Sequence, residues 1–442
     1  MRKPLSKKAT HEDLFKGLKV EKVVIPLPEE EQICPVCGTQ MVLIGEEYVR
    51  RELEFIPATC KVIEYYSQSY GCPSCKEGLG DTEKPVIIKS QVPAALVGKG
   101  PASASTVAWT MYQKYANGLP LYRQEKDWKQ YGAQISRTTL ANWIIYCSQN
   151  YFQPMYDYFH RELLKRSFAM ADETRAQVLN EEGRLAQTQS FMWLFRSGKD
   201  GLPAIILYGY SPTRSGSHAR EFLKGYSGYL ETDGYQGYNN LPGIRRCSCW
   251  AHIRRYFIDA VPKGKQYDYS QPAVQGVQYC NRLFAIEDSI NKKYPGDYEK
   301  RKQLRLEKEK PVLEAFWSWL DQQKPVRNTR MDKAINYVLN RRDTAETYLE
   351  DGRCSFTNNL SENAIRPFAV GRKNWLFSSS VDGANASAVV YTMVEMAKAH
   401  GLNIYGYLKF LLEHRSSKDM TDEQLAELAP WSEKLQSIKN RM

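Results

Sequence analysis

The sequence predicts a multidomain α/β protein: a mixed sheet with an inserted helical subdomain, preceded by a zinc ribbon and a helix-turn-helix-like helical region. Three observations carry this. The chain has 442 residues, too many for one ordinary domain. Between 166 and 258, apolar runs and helical patterns follow the order strand, strand, strand, helix, strand, strand, helix. The first quarter holds two Cys-x-x-Cys pairs around strand-like sequence.

Hydrophobic residues make up 42% and charged residues 25%, so a sizeable core is expected. The formal net charge of +11 favours an acidic partner, nucleic acid ahead of a membrane surface. No apolar run is long enough to span a bilayer, and no membrane association is expected. The basic N-terminus is not followed by the apolar stretch of a secretory signal, which points to a cytoplasmic protein. Ten cysteines in such a chain are expected to be reduced or to bind metal.

Residues 1–30, with "IPLPEEE", read as an extended leader. Residues 31–80 contain Cys34-Pro-Val-Cys37 and Cys72-Pro-Ser-Cys75. Two cysteines at this spacing reach one ion, and four thiolates close a tetrahedral Zn²⁺ site. The stretch between them is rich in Val, Ile, Tyr and Phe, which favours a metal-stapled ribbon over a redox dithiol. Cys60, between the pairs, reads as a small buried hydrophobe. Residues 81–98 read as a linker.

The pattern is helical from 101 to 165. "LYRQEKDWKQYG" closes at Gly132, and "ISRTTLANWIIYC" opens on Ser136 as N-cap, the outline of a helix-turn-helix. Arg123 and Arg137 are its candidate phosphate contacts, although a solvated face explains them equally. The sheet of 166–258 follows, then a charged helical block over 259–350. The core resumes at 351–380, and 381–442 form C-terminal helices.

Three acids stand out. Asp172 closes the apolar run "SFAMAD", Asp233 closes "GYLETD", and Glu362 lies in "NNLSENAIRPFAVGRKNWLF". Asp233-Gly234 is also a turn dipeptide, and Asn359-x-x-Glu362 resembles a capping box. Together, however, two strand-end carboxylates and a third from a later helix can converge on hard divalent cations, which prefer oxygen ligands. Arg366 falls one turn after Glu362; Arg372 and Lys373 lie beyond Pro367, expected to disrupt the helix. These bases are candidate DNA contacts, as are Arg254 and Arg255 in "CWAHIRRYF", and Trp375 could stack on an unpaired base or fill a core. Cys247, Cys249 and His252 have near-metal spacing without an evident fourth ligand, and packing explains them as well.

The chain resembles the insertion-sequence-66 family of bacterial DDE transposases. The matching pieces are "CPVCG", "LYRQE…ISRTTLANW", "ADET", "GYLETDGYQGYN", "CWAHIRRYF", "NNLSENAIRPFAVGRKNWLF" and "AKAHGLNIYGYL", in the family's order. The resemblance implies a ribonuclease-H-like core with a helical insertion, and a catalytic triad of Asp172, Asp233 and Glu362 binding two Mg²⁺ (or Mn²⁺) ions. It implies double-stranded DNA, the element's ends and a target, as substrate, with a homo-oligomer and accessory proteins of the element as partners. A ribonuclease-H-like nuclease or resolvase, and an inactive DNA-binding relative, are the alternatives. Members of the family commonly carry further helical sequence ahead of the knuckles, so the early start here points to a short member or a truncated copy.

Overall fold

The computed structural model describes residues 60–71, 87–98 and 100–437, with a few isolated positions between 24 and 43. The chain divides into two units, Met1–Thr59 and Cys60–Met442, and the elements below belong to the second. Cys34, Cys37, Cys72, Cys75 and nearly all of the 1–30 leader lie outside the described residues. Cys60 is exposed, contrary to the expectation of a buried hydrophobe. Strands β1 (Ser69–Gly71) and β2 (Ile87–Lys89) pair antiparallel, so part of the 81–98 stretch is strand and not linker.

The helices α1 (Ala104–Tyr115), α2 (Leu121–Gln130) and α3 (Arg137–Cys147) follow. Ser103 and Ser136 cap α1 and α3, each hydroxyl accepting from the backbone N–H three residues on. Gly132, at φ 86°, makes the turn between α2 and α3 in a conformation that favours glycine. A π-turn over Ser148–Phe152 leads into α4 (Gln153–Leu164).

A mixed sheet of six strands forms next, with order β5-β4-β3-β6-β7 and β8 paired to β3. Its strands are β3 (Phe168–Asn180), β4 (Gln189–Ser197), β5 (Ile206–Ser211), β6 (Gly228–Thr232), β7 (Ile244–Ser248) and β8 (Ser378–Ser380). Helix α5 (Gly216–Phe222) joins β5 to β6, and α6 (Trp250–Ala260) follows β7. This is the expected element order. The pairing is antiparallel among β3, β4 and β5 and parallel among β3, β6 and β7. Asp172 does not end its strand: β3 runs on to Asn180, because β4 and β8 continue to pair with it after β6 has stopped.

Five helices come next: α7 (Pro272–Lys293), α8 (Tyr298–Lys308), α9 (Lys310–Asp321), α10 (Arg330–Leu339) and α11 (Arg342–Glu346). Then come α12 (Asn359–Trp375), α13 (Val381–Ala399), α14 (Ile404–His414), α15 (Asp422–Leu428) and α16 (Glu433–Ser437). Pro367 does not break α12, which continues to Trp375 with Ala364, Ile365, Phe368 and Gly371 buried. Packing of that apolar face outweighs the one hydrogen bond proline removes.

Side-chain alternation on β3 divides the interior. Ala169 and Ala171 face one core, shared by the helices of 104–164, β4, β5 and α13; Phe168 and Met170 face a second, shared with α6, α9 and α10. Helix α13 is buried along most of its length and lies on edge strand β5. The β5 amides of Tyr208 and Ile206 donate to Thr392 Oγ1 at 3.0 Å and Met396 Sδ at 3.2 Å. These bonds occupy groups that an open edge would present to another chain.

The second core contains a fully buried Arg305. It donates to both Glu287 carboxylate oxygens, at 2.9 and 2.6 Å, and to the carbonyls of Tyr348, Asp351 and Cys354. Helix α8 is thereby fastened to the segment leading into α12. Glu309 is also fully buried and accepts from the Tyr348 hydroxyl at 2.6 Å. Burial, then the neighbouring Glu287, push its carboxyl from 4.5 up to about 8. The folded state therefore holds a proton that the unfolded chain has released. This contribution to stability is full below about pH 4.5 and is lost as pH rises through about 8. Thermal melts across that window should show wild-type stability declining with pH and Glu309→Gln removing part of the decline.

Candidate active site

The parallel registers bring the first two acids together. Met170 pairs with Glu231, and Glu231 with Cys247. Carried two residues forward, these registers set Asp172 level with Asp233, and Asp233 level with Cys249. Adjacent strands lie about 4.8 Å apart, so the positions are neighbours across the sheet. The Cys249 amide donates to the Thr232 carbonyl at 3.3 Å, continuing the ladder past the end of β7.

The loop carrying Asp233 is clamped from two sides. Arg246, on β7, donates to Thr232 Oγ1 at 2.8 Å and to the carbonyls of Asp233 and Tyr235. Arg341, just past α10, donates to the Gly234 carbonyl at 2.6 Å. A Cβ at Gly234 would lie 2.6 Å from the Tyr337 hydroxyl and 2.5 Å from Arg341 Nη2. Glycine here answers to the close approach of these side chains. Asp233 Oδ1 accepts from the Tyr235 amide at 2.9 Å, which orients its carboxylate.

Helix α12 supplies the third acid. Asn358, buried at its start, donates from its backbone to Cys249 Sγ at 3.2 Å and from Nδ2 to the Ala171 carbonyl at 3.0 Å. The Trp250 amide donates to the Phe356 carbonyl at 3.2 Å. These bonds stitch the entry of α12 to β3, next to Asp172, and to the start of α6. The expected capping box is absent: Asn358, not Asn359, is the N-cap residue and makes no side-chain cap bond. The Glu362 carboxylate instead pairs with His252 Nε2 at 3.0 Å.

The electrostatics distinguish the acids. Burial, then the charges of Glu173, Asp233 and Glu362, push the Asp172 carboxyl up to about 8, against one stabilising bond from the Glu173 amide. The His252 hydrogen bond holds Glu362 below its ordinary range, burial opposes it, and His252 and Arg255 charges assist. Glu173 is engaged elsewhere, by Arg214 and by the Tyr238 hydroxyl. The Asp172 carboxyl thus senses Asp233 and, more weakly, Glu362, and the three side chains make up an all-carboxylate donor set. That donor set fits a hard divalent cation. Among the described residues, the group of three ligand atoms lying within 4.8 Å of one another is Cys249, His252 and Glu362, so Glu362 sits on the Cys-x-x-His turn and neither aspartate belongs to that group.

The candidate DNA contacts separate into groups. Arg123 and Arg137 are exposed on α2 and α3, and the Arg137 amide donates to Glu125. Arg255, Arg366 and Lys373 are exposed. Arg254 is half-buried, bonded to Asn281 at 2.7 Å and lying over Phe284, so it ties α6 to α7. Arg372 is half-buried and donates to the Arg175 carbonyl on β3. Trp375 packs edge-on against Tyr115 and beside Tyr391. The positioning residues Arg246, Arg341 and Asn358 escaped sequence reading, and His252 was visible only as a spacing motif.

The sequence model described as the Transposase IS66 family matches residues 99–386. That of the zinc-finger binding domain of transposase IS66 matches residues 31–76. Three uncharacterized proteins of Sinorhizobium fredii (strain NBRC 101917 / NGR234) are similar along most of their length. Protein y4qI is 29% identical over 436 residues, covering 95% of this chain and 76% of that protein. Protein y4hP is 29% identical over 445 residues, covering 96% and 76%. Protein y4jD is 28% identical over 424 residues, covering 92% and 80%.

A partner that orients a metal ligand typically governs about ten- to a hundredfold in metal affinity. On the reading that Glu362 is a metal ligand, His252→Ala should weaken Mn²⁺ binding about tenfold, read by the electron paramagnetic resonance of free Mn²⁺. His252→Gln, which retains a donor, should recover part of the loss.

Proposed function

The chain belongs to the IS66 family of transposases, and from that premise we propose that it cleaves and joins DNA ends at Asp172, Asp233 and Glu362. The observation that carries the reading is geometric: the β3–β6 register sets Asp172 level with Asp233, and the Asn358 bonds to Ala171 and Cys249 bring the start of α12, with Glu362, to the same end of the sheet. The strand order and the helical block before α12 support a ribonuclease-H-like core with an insertion over 259–350.

Asp172, Asp233 and Glu362 would hold Mg²⁺ or Mn²⁺, as a pair of ions. Such cations supply Lewis acidity to a phosphodiester displacement, first with water and then with a DNA 3′-hydroxyl as nucleophile. The chain's own residues provide position and field. Arg246 and Arg341 hold the Asp233 loop, Asn358 sets the start of α12, and His252 aims the Glu362 carboxylate. Arg255 and Arg366, both exposed, would draw the flanking phosphates towards the cluster. Arg123 and Arg137 would engage double-stranded DNA farther along, with a second copy of the chain and accessory proteins of the element as partners.

Cys34, Cys37, Cys72 and Cys75 all fall within the matched zinc-finger segment 31–76. Four thiols in two such pairs suit Zn²⁺. No described helix is long and apolar enough to cross a membrane.

Labelled DNA carrying the inverted repeats that flank the gene tests the activity. With Mg²⁺, transfer of label to a target supports transposition, whereas cutting without joining supports a nuclease. Asp172→Asn should lower either reaction at least about a hundredfold while leaving DNA binding intact. Absence of any cutting by the wild type, with the element's accessory proteins supplied, would sink the enzyme reading. Separately, Cys34→Ser should release zinc and unfold residues 31–80 while sparing the catalytic core. Freshly purified wild type free of zinc on metal analysis would refute the ribbon.

A further inference from the structure

The end of α12 has a backbone that its sequence does not explain. Leu376 sits at φ 65°, ψ −47°, and the Phe377 amide donates to the Trp375 carbonyl at 2.8 Å. This is a γ-turn of positive φ, rare and strained, centred on a residue with a large side chain. The turn exposes two apolar side chains side by side, Leu376 at 66% and Phe377 at 42%. Folding alone would favour glycine at Leu376 and a polar residue at Phe377.

Both sides of the turn are anchored. Before it, Trp375 packs against Tyr115 and Tyr391. After it, β8 pairs with Val178 and Asn180 of β3. The turn is therefore a fixed tip. It also lies at the end of a track: Glu362, Arg366, Val370 and Lys373 recur at helical spacing on the face of α12 away from its buried residues. A carboxylate of the cluster opens that face, two cations follow, and an apolar tip closes it.

We infer that Leu376 and Phe377 form a stacking wedge for an unpaired base at a DNA end whose phosphates run along Arg366 and Lys373. The inference rests on the reading of Glu362 as a catalytic residue for DNA. An apolar tip beyond a cationic stripe matches the two parts of a nucleotide: the charged backbone meets Arg366 and Lys373, and the base meets Leu376 and Phe377. It moves the stacking role from Trp375, which is packed inward, to its two neighbours.

The test uses the full chain without added divalent cation. Binding is compared between a fully paired duplex and the same duplex with a short unpaired end carrying 2-aminopurine. Wild type should prefer the unpaired end by about fivefold or more and change the 2-aminopurine fluorescence. The double variant Leu376→Gly, Phe377→Ala should lose both effects yet bind the paired duplex unchanged. Its melting temperature should hold or rise, because glycine accepts the backbone that strains leucine. A preference that survives in the variant, or equal weakening on both DNAs, would overturn the wedge. So would an altered oligomeric state with unchanged DNA preference, which would make the tip an interface between copies. Failure of the wild type to bind either DNA would instead remove the DNA reading of the whole face.

Discussion

Bringing the carboxylates of Asp172, Asp233 and Glu362 to one end of the sheet is the constraint around which the core is arranged. Left to itself, the chain would separate them. Two devices prevent this. The parallel register fixes Asp172 beside Asp233 as a matter of backbone geometry. Asn358 then bridges two elements at once, with one donor on Cys249 and the other on Ala171. Burial first, and then the neighbouring carboxylates, push the Asp172 carboxyl up to about 8. A group so disposed is well suited to exchange its proton for a cation.

The helical block is part of this arrangement and not an appendage to it. Its Arg341 and Tyr337 close on Gly234, beside Asp233. Trp250, at the start of α6, donates from its indole to the Ala345 carbonyl at 2.9 Å. Arg305 binds three carbonyls of the segment that runs into α12. A buried guanidinium with all its donors used is costly to disturb, since loss of one partner strands a charge in a dry interior. The block therefore determines where Asp233 and Glu362 sit while contributing no carboxylate of its own to the cluster.

The order of strands was legible because apolar runs such as "FMWLF" and "AIILYGY" are unambiguous and their punctuation is polar or glycine-rich. The cap Ser136 was accessible for the same local reason, whereas the cap Ser103 emerged only with the structure. What escaped was tertiary. Helix α8, "YEKRKQLRLEK", shows no apolar stripe, because it buries Arg301 and Arg305 beside Leu304. Pro367 looked like a break because local rules omit the packing of Ile365 and Phe368. Asn359 and Glu362 had capping-box spacing, yet the carboxylate found His252, which lies far away in sequence. Trp375 drew attention by its size, whereas its packing against Tyr115 could be known only from the fold. The acids themselves were read from the family resemblance together with their strand-end positions, a combination no single residue would have supplied.

Strand β3 and helix α12 run as two rails joined at intervals. Asn358 ties them at Ala171, Arg372 at Arg175, and β8 at Val178 and Asn180. From Asp172 to Val178 the strand covers about 20 Å. From Glu362 to Leu376 the helix covers about 21 Å. Fastened at both ends, the pair acts as a ruler. Any polymer lying along it meets the carboxylates and the apolar tip at a separation written in covalent geometry. A deletion or insertion of one residue in either rail would misalign the rungs, so this length is far less free to drift than that of a surface loop.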